Sequence, residues 1–484
     1  MTPPILTRST YFLSAIFGLL IINFDSIAQY EHSYQPRKTY DEHSQALITG
    51  VRNQLQDELD RIKSSRRQEI IQIYQSRTNY LISKIKGKKF IEDDSLQGFL
   101  NAVFRRIVSN NVLRHPAKRI LVLKSPEVNA FCYLDGTLVV NIGLLARVRN
   151  ESQLAFALAH ELAHFELDHL RKRVTHNVEK KVARNVDRQV SKVLDDAVSI
   201  GDLDSLRKFV YSIGRYSREA ERQADSLGFV LVRRAGYNQE QAIAMLSILD
   251  SAEYLKADAN KDLFAPLHFS KFPFKDFWLT QRPRIYSKKS TATFIFDNDS
   301  LNHHPDMLMR KSILHEQLEN TSHPFNYQSE QFISAIITMS EFESVESAYA
   351  MRQYDRCLFM SLALLNRYPG NTYLVKKIAT LFIDLIRAMD DGTINTIIPQ
   401  YTSSYSDEFR RVNNFIHNIS SEELGELAFH FLNNQTNFCT RCDEHYYLLW
   451  QVCHLTHRVA VKEKVKQSYR SRFDEKNTFY NKIK

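Results

Sequence analysis

The sequence predicts a mainly α-helical protein with one small β-sheet. Three observations carry that expectation. Apolar residues recur at three- and four-residue steps along most of the chain, which is the stripe of an amphipathic helix. A stretch around 119–140 instead reads as short strands about an Asp-Gly turn. Beyond Phe332 the helical pattern is almost unbroken. The 484 residues are about three times the ~150 of a typical domain, so two or three folded units are expected. With 43% hydrophobic and 25% charged residues the chain can bury a sizeable core, and 13 Gly and 12 Pro exclude a collagen-like or largely disordered one. The net charge of +9, from 64 basic and 55 acidic side chains, is a mild excess of the kind a solvated surface carries, and it gives no sign of a nucleic-acid partner.

The first 28 residues have the parts of a secretory signal: Arg8, a mostly apolar run from Phe12 to Phe24, and Ser26, Ile27 and Ala28 as a small-x-small cleavage site. A membrane anchor is the competing reading, but the run falls short of the ~20 apolar residues that span a bilayer, and no later segment comes close. The expected mature chain begins at Gln29, is exported, and has no transmembrane span. Five cysteines are too few for a disulfide scaffold, so the fold must rest on its core.

Ile48, Val51, Leu55, Leu59 and Ile62 mark a helical N-terminal arm over residues 29–88. Leu96, Phe99, Leu100, Val103, Phe104 and Ile107 mark a second helix, after a charged connection from Gly87 to Asp94. Arg119–Leu123 and Thr137–Val140 read as strands, with Asp135 and Gly136 turning between them. Asn150 and Gln153 resemble a capping box opening a helix from Glu151 through at least Leu170, with Leu154, Leu158, Leu162 and Phe165 as its buried stripe. From Arg171 to about Arg234 the chain stays helical in character, broken near Gly201 and Gly214. Residues 270–305 read as a long irregular excursion, and the helices after Phe332 break at Pro369, Gly370 and Asn371 and around Asp390 to Thr393.

His160, Glu161, Leu162, Ala163 and His164 spell HExxH on the long helix. The i, i+4 spacing stacks two imidazoles on one face, where both can reach a single zinc at ~2.0–2.1 Å. Glu161, about 100° away around the helix, stands beside the metal, where a general base for an activated water belongs. Chance occurrence competes with this reading, so the claim requires a third ligand on another element. Ser217 to Asp225 (SREAERQAD) supplies candidates. Glu221 can complete a His, His, Glu set, with Glu219 as its competitor, and Asp225, one turn on, can accept a hydrogen bond from a ligand imidazole and fix its tautomer. An ordinary charged helix face is the bland alternative.

Segment 129–170, together with SREAERQADSLGF at 217–229, resembles the zinc peptidases that include the CAAX prenyl protease, the heat-shock membrane protease HtpX and periplasmic quality-control proteases of outer-membrane assembly. HExxH, a histidine five residues beyond it and SRxxExxAD occur in order, and the likeness covers Leu96 to Leu314. It implies a mainly α, zincin-type (gluzincin) domain with a small β-sheet over residues 89–325, one catalytic zinc on His160, His164 and Glu221, and Glu161 as base. It also implies a periplasmic enzyme acting on extended or unfolded polypeptides. Asn129, Ala130 and Phe131 look like the family's edge strand above the zinc, to which such a peptide can add, although Asp135 and Gly136 replace its usual paired glycines. A plain core hairpin is the alternative. His169, off the zinc face, is expected to make a structural hydrogen bond. His304 and Pro305 resemble the family's His-Pro, on a segment that can cover the cleft and fill the open zinc position or polarise the oxyanion.

Residues 326–484 read as an all-α, tetratricopeptide-like domain suited to protein partners. Tyr354, Cys357, Ser361, Leu364 and Pro369 have the spacing of one degenerate repeat. Cys439, Cys442, Cys453 and His457 leave a structural zinc, a Cys439–Cys442 disulfide and unmodified thiols all open. The sequence therefore predicts an exported zinc metalloendopeptidase, with a catalytically weak or inactive chaperone or assembly factor of the same fold as the alternative.

Overall fold

The protein is described by a computed structural model over residues 29–40, 44–115, 119–179, 218–252, 255, 261–281, 307–318, 330–399, 406–434 and 436–483. The signal segment, the predicted helical stretch 180–217, and His304 with Pro305 lie outside the described residues. The architecture is mainly α with one four-stranded sheet, as the sequence predicts.

After a short helix α1 (Gln29–His32), helices α2 (Ser44–Asp60) and α3 (Arg67–Lys86) pack against each other, and Ile48, Val51, Leu81 and Ile82 share a buried cluster with Leu121 and Leu123. Strand β1 (Phe90–Ile91) falls inside what reads as a charged connection. Its two apolar residues are buried against β2 (Arg119–Leu123), and two residues are too few for any periodicity to show. Helix α4 (Asp94–Ser109) starts on Asp93, whose carboxylate accepts the Leu96 N–H at 2.9 Å.

The sheet runs β1-β2-β4-β3, with β3 Ala130–Cys132 and β4 Thr137–Asn141. The two strands expected about one turn are not a hairpin with each other. β2 and β4 lie parallel, and the hairpin partner of β4 is the short β3. The β3–β4 turn closes on Gly136 at φ 78°, a left-handed conformation that favours glycine, and Asp135 accepts from Thr137 N–H (3.0 Å) and Oγ1 (2.9 Å).

After α5 (Ile142–Leu145) comes α6 (Glu151–Glu166), which the sequence predicts with one buried stripe. Every residue of α6 except Glu151 and Phe165 is buried, because α4, β3, β4, α8 (Arg218–Arg234) and α9 (Gln239–Asp250) enclose it. Asn150 caps it by accepting the Gln153 N–H at 3.0 Å, while the Gln153 side chain reaches back to the N–H of Arg149, one residue beyond a capping box. The helix does not run on to Leu170. It ends at Glu166, whose carboxylate accepts the N–H groups of Arg114 and His115 (2.8 Å each), and Asp168 at φ 57° turns the chain into a new helix, α7 (His169–Glu179).

Helix α10 (Met307–Glu316) packs on α8 and α9. Beyond it, α11 (Glu330–Ala350), α12 (Tyr354–Arg367), α13 (Thr372–Asp390), α14 (Ile394–Ile397), α15 (Asp407–Asn418), α16 (Ser421–Asn433), α17 (Asp443–Leu455) and α18 (Val459–Arg470) build a helical array, joined to the first half where α11 packs on α5. Tyr354, Cys357, Ser361 and Leu364 lie on α12, and Pro369 follows its end. Two further segments tie the halves together. Tyr30 and Tyr34 stack on Phe342 of α11 at 5.7 and 4.8 Å, and Asn371 donates to the Tyr30 carbonyl at 2.6 Å. Residues 261–281, of which 270–281 fall in the expected excursion, dock on α15 and α16. Trp278 is fully buried 5.1 Å from Phe274 and 6.0 Å from Phe415, and Asn418 donates to the carbonyls of Trp278 (3.1 Å) and Thr280 (2.7 Å). Truncating such a tryptophan costs on the order of 3–5 kcal/mol, so this segment is a clamp between the halves. Cys439 and Cys442 form a disulfide, and Cys453 is a buried thiol.

His445, at the start of α17, is buried with Nε2 3.0 Å from the Leu432 carbonyl, and its burial pushes its pKa down to about 4. An unfolded chain, with imidazoles near ~6.5, binds more protons than the folded one below that pH. The stability that neutral His445 contributes is therefore complete above pH ~6.5 and is lost as the pH falls towards 4. His445→Gln should flatten the decline of melting temperature between pH ~6.5 and ~4.5. Equal slopes for the two proteins would place the acid sensitivity elsewhere.

Candidate metal centre

The centre is built where α8 crosses α6. Both helices must come unusually close for a side chain of one to reach the ligands of the other, and Gly228 allows it. A Cβ at that position would stand 3.1 Å from both Cα and N of His160. Seven residues earlier on α8, Glu221 faces the two histidines of α6.

His160 Nε2 and His164 Nε2 are 3.0 Å apart, and the Glu221 carboxylate lies 3.6 Å from the first and 3.4 Å from the second. All three side chains are buried. Ligands ~2.0–2.1 Å from one tetrahedral ion stand about 3.3 Å from each other, so two imidazole nitrogens and a carboxylate at 3.0–3.6 Å fit a single transition-metal ion. Burial drives the pKa of His164 down to about 3, which keeps it neutral and available as a ligand at any ordinary pH.

Each histidine is held from behind. His160 Nδ1 lies 2.9 Å from Asp225 Oδ1, the contact expected of Asp225 from its spacing. His164 Nδ1 lies 2.9 Å from His169 Nδ1, and His169 Nε2 lies 3.1 Å from Gln223 Oε1. The break after Glu166 explains how His169 reaches the site: it starts a new helix that turns back beneath His164. Glu219, the rival for the ligand role, is exposed and accepts from Gln223 at 2.7 Å, away from the cluster.

Glu161 is buried beside the cluster, and its carboxylate accepts the Cys132 N–H. Burial, aided by the charge of Glu221, lifts its pKa to about 7 in spite of the opposing pull of His160. Its Oε2 has no hydrogen-bond partner among the described residues. Cys132 belongs to the edge strand. Asn129 and Tyr133 bond to β4, so the alternation of an antiparallel pair turns the backbone groups of Ala130 and Cys132 outward and commits those of Phe131 to β4. Of Asn129, Ala130 and Phe131, therefore, it is Ala130 that offers its backbone to the edge. A cleft beside His164 is lined by Cys132, Tyr133, Leu134, Phe165, Asp168 and Arg171. His304 lies outside the described residues.

Residues 94–325 match the model of peptidase family M48. The chain carries a peptidase family M48 domain. It is similar to the beta-barrel assembly-enhancing protease of Escherichia coli (strain K12), 27% identical over 186 residues, which cover 36% of this chain and 37% of that protein. The protein of the same name from Yersinia pestis is 24% identical over 321 residues, 62% of this chain and 60% of that protein. The mitochondrial metalloendopeptidase OMA1 of Arabidopsis thaliana is 32% identical over 123 residues, 25% of this chain and 24% of that protein. The chain thus spans little more than a third of the length of the Escherichia coli relative that it matches.

Sequence reasoning misses Arg310. Its Nε and Nη2 donate to the two carboxylate oxygens of Asp225 (2.5 and 2.7 Å), and its Nη1 lies 3.2 Å from Glu221 Oε2. Burial would raise the Asp225 carboxyl, but the hydrogen bonds from Arg310 and His160 outweigh it and hold the group below its ordinary range. Helix α10 buries Arg310 to 4% exposure beside the apolar Leu314 while Leu308 remains 83% and Met309 58% exposed, so an apolar-inside reading does not single Arg310 out. Arg310→Met should destabilise the metal-free protein by about 3–5 kcal/mol, because it strands two buried carboxylates. Urea unfolding measures this, and a loss below about 1 kcal/mol would mean the fork contributes no more than a surface pair.

Proposed function

We propose that this chain is an exported zinc metalloendopeptidase that hydrolyses peptide bonds in extended or unfolded polypeptides. His160, His164 and Glu221 hold the zinc and Glu161 is the general base. The convergence of the three ligand atoms at 3.0–3.6 Å, with Glu161 beside them, carries this reading. Two imidazoles and one carboxylate are a donor set that suits zinc and leaves a fourth position open.

When bound, zinc supplies activation of a water and polarisation of a peptide carbonyl. The chain's own groups do the rest. Glu161 stands ready to take a proton at neutral pH, because its pKa of about 7 matches that task and its Oε2 is uncommitted among the described residues. The N–H of Cys132 fixes the other end of the carboxylate. The outward backbone groups of Ala130 let an extended peptide add to the sheet edge, a mode of binding that reads main chain and so tolerates many sequences.

Export is supported by the N-terminal signal pattern and by the Cys439–Cys442 disulfide, which suits an oxidising compartment such as the periplasm. The helical array is proposed to receive protein partners. By its name the Escherichia coli relative enhances β-barrel assembly, and a role beside such assembly belongs to this proposal.

Metal analysis of the purified protein should return about one zinc per chain. Glu221→Gln should lose most of it and Glu219→Gln should keep it, since only Glu221 faces the histidines. Loss of zinc from the Glu219 variant alone would reverse the ligand assignment. Glu161→Gln should retain the zinc and the fold but cleave casein at least ~100-fold more slowly, as an amide cannot accept the proton. Equal cleavage by variant and wild type would sink the enzyme reading and favour a chaperone of the same fold.

A further inference from the structure

We propose that Gln223 and Glu219 form the outer end of a directed hydrogen-bond relay that selects the metal-binding tautomer of His164, making Gln223 a positioning residue of the centre. The inference rests on the metallopeptidase reading above and extends it to residues that touch neither metal nor substrate.

The direction of every bond can be worked out from the outside inward. Glu219 is exposed, and its two oxygens are taken by Arg222 (2.7 Å) and by Gln223 Nε2 (2.7 Å). A carboxylate is an acceptor only, so the Gln223 amide must present its NH₂ group to Glu219 and its oxygen to the other side. That oxygen lies 3.1 Å from His169 Nε2, which must therefore carry the proton of the neutral ring. His169 Nδ1 is then a bare acceptor, and 2.9 Å away it meets His164 Nδ1. His164 thus carries its proton on Nδ1 and leaves Nε2 as the lone pair facing His160 and Glu221. That is the tautomer a metal requires.

The reverse order of protons would fail at the centre. With the Gln223 amide flipped, His169 would hold its proton on Nδ1, against the proton of His164, and the ring of His164 would be pushed to present N–H to the metal. Glu219 prevents the flip, at a distance of three hydrogen bonds from the ligand atom. The arrangement parallels the one behind His160, where Asp225 accepts from Nδ1 and Arg310 fixes Asp225. One helix supplies both supports: α8 carries Glu221 and Asp225 on its buried face and Glu219 and Gln223 on the exposed face opposite.

Because Gln223 is exposed, its replacement leaves the core intact. Three variants of the whole chain separate a directed relay from simple packing. Gln223→Glu combined with Glu219→Gln keeps an acceptor for His169 and a donor–acceptor pair at the outer end, and should release zinc to a chromogenic chelator at the wild-type rate. Gln223→Leu removes the acceptor and should release it about 10-fold faster or more, within the range that outer partners of zinc ligands govern. Gln223→Lys presents a donor in place of the acceptor and should be the fastest of all. Thermal melting beside each measurement reports the fold. Equal release rates for the wild-type, Leu and Lys proteins, or a Glu219→Gln, Gln223→Glu double variant releasing as fast as the Leu variant, would overturn the relay. A wild-type protein that takes up no zinc would instead overturn the metallopeptidase reading itself.

Discussion

The contact on which this structure depends is the close approach of α8 to α6 at Gly228. Glycine there lets backbone meet backbone beside His160, and only at that separation can Glu221, seven residues earlier, reach two imidazoles on the neighbouring helix. The burial of α6 on all sides follows from the same packing. A helix that must present His160, Glu161 and His164 to an enclosed centre cannot keep a solvated face, and the small residues Ala155, Ala157, Ala159 and Ala163 around it are what let its neighbours close in. The catalytic proposal is thus a consequence of packing before it is a consequence of motif.

Buried polar groups need partners, and here this requirement organises the surroundings of the centre. Each histidine turns one nitrogen inward and the other to a support, and both supports trace back to α8. The supports differ in kind. Asp225 is ionic, buried and clamped by Arg310 from α10, so it ties the centre to a helix 85 residues further along the chain. His169 and Gln223 are neutral and lead outward to solvent. A rigid side and a side open to the surface therefore meet at the metal position.

Much of this was legible in the sequence where a local rule was strong enough. HExxH puts His160 and His164 on one face with Glu161 beside them by helical geometry alone, and the four-residue step from Glu221 to Asp225 puts those two carboxylates on one face. The rules weakened where structure is set by distant partners. The two-residue β1 has no period to read, and β2 and β4 turn out parallel because β3 intervenes, which no turn signal between them reveals. The end of α6 at Glu166 is fixed by the backbone N–H groups of Arg114 and His115, some 50 residues upstream in sequence. Arg310 is invisible for a similar reason: its burial answers the charges of Asp225 and Glu221, not any pattern on its own helix.

Those charges also explain the state of Glu161. Three carboxyl groups, Glu161, Glu221 and Asp225, are buried within one site, and ionised groups taken from water cost several kcal/mol each unless compensated. Arg310 compensates Asp225 through two hydrogen bonds and Glu221 through a third contact, but it does not reach Glu161 with one. Burial therefore lifts Glu161 to about 7, so near neutrality the metal-free protein divides between its protonated and ionised forms. A divalent cation among the ligands reverses the local field and favours the carboxylate. A bound ion would thus favour the basic form of Glu161 that the proposed chemistry needs, and the low-dielectric burial that makes the uncompensated carboxylate costly is what would link the two so tightly.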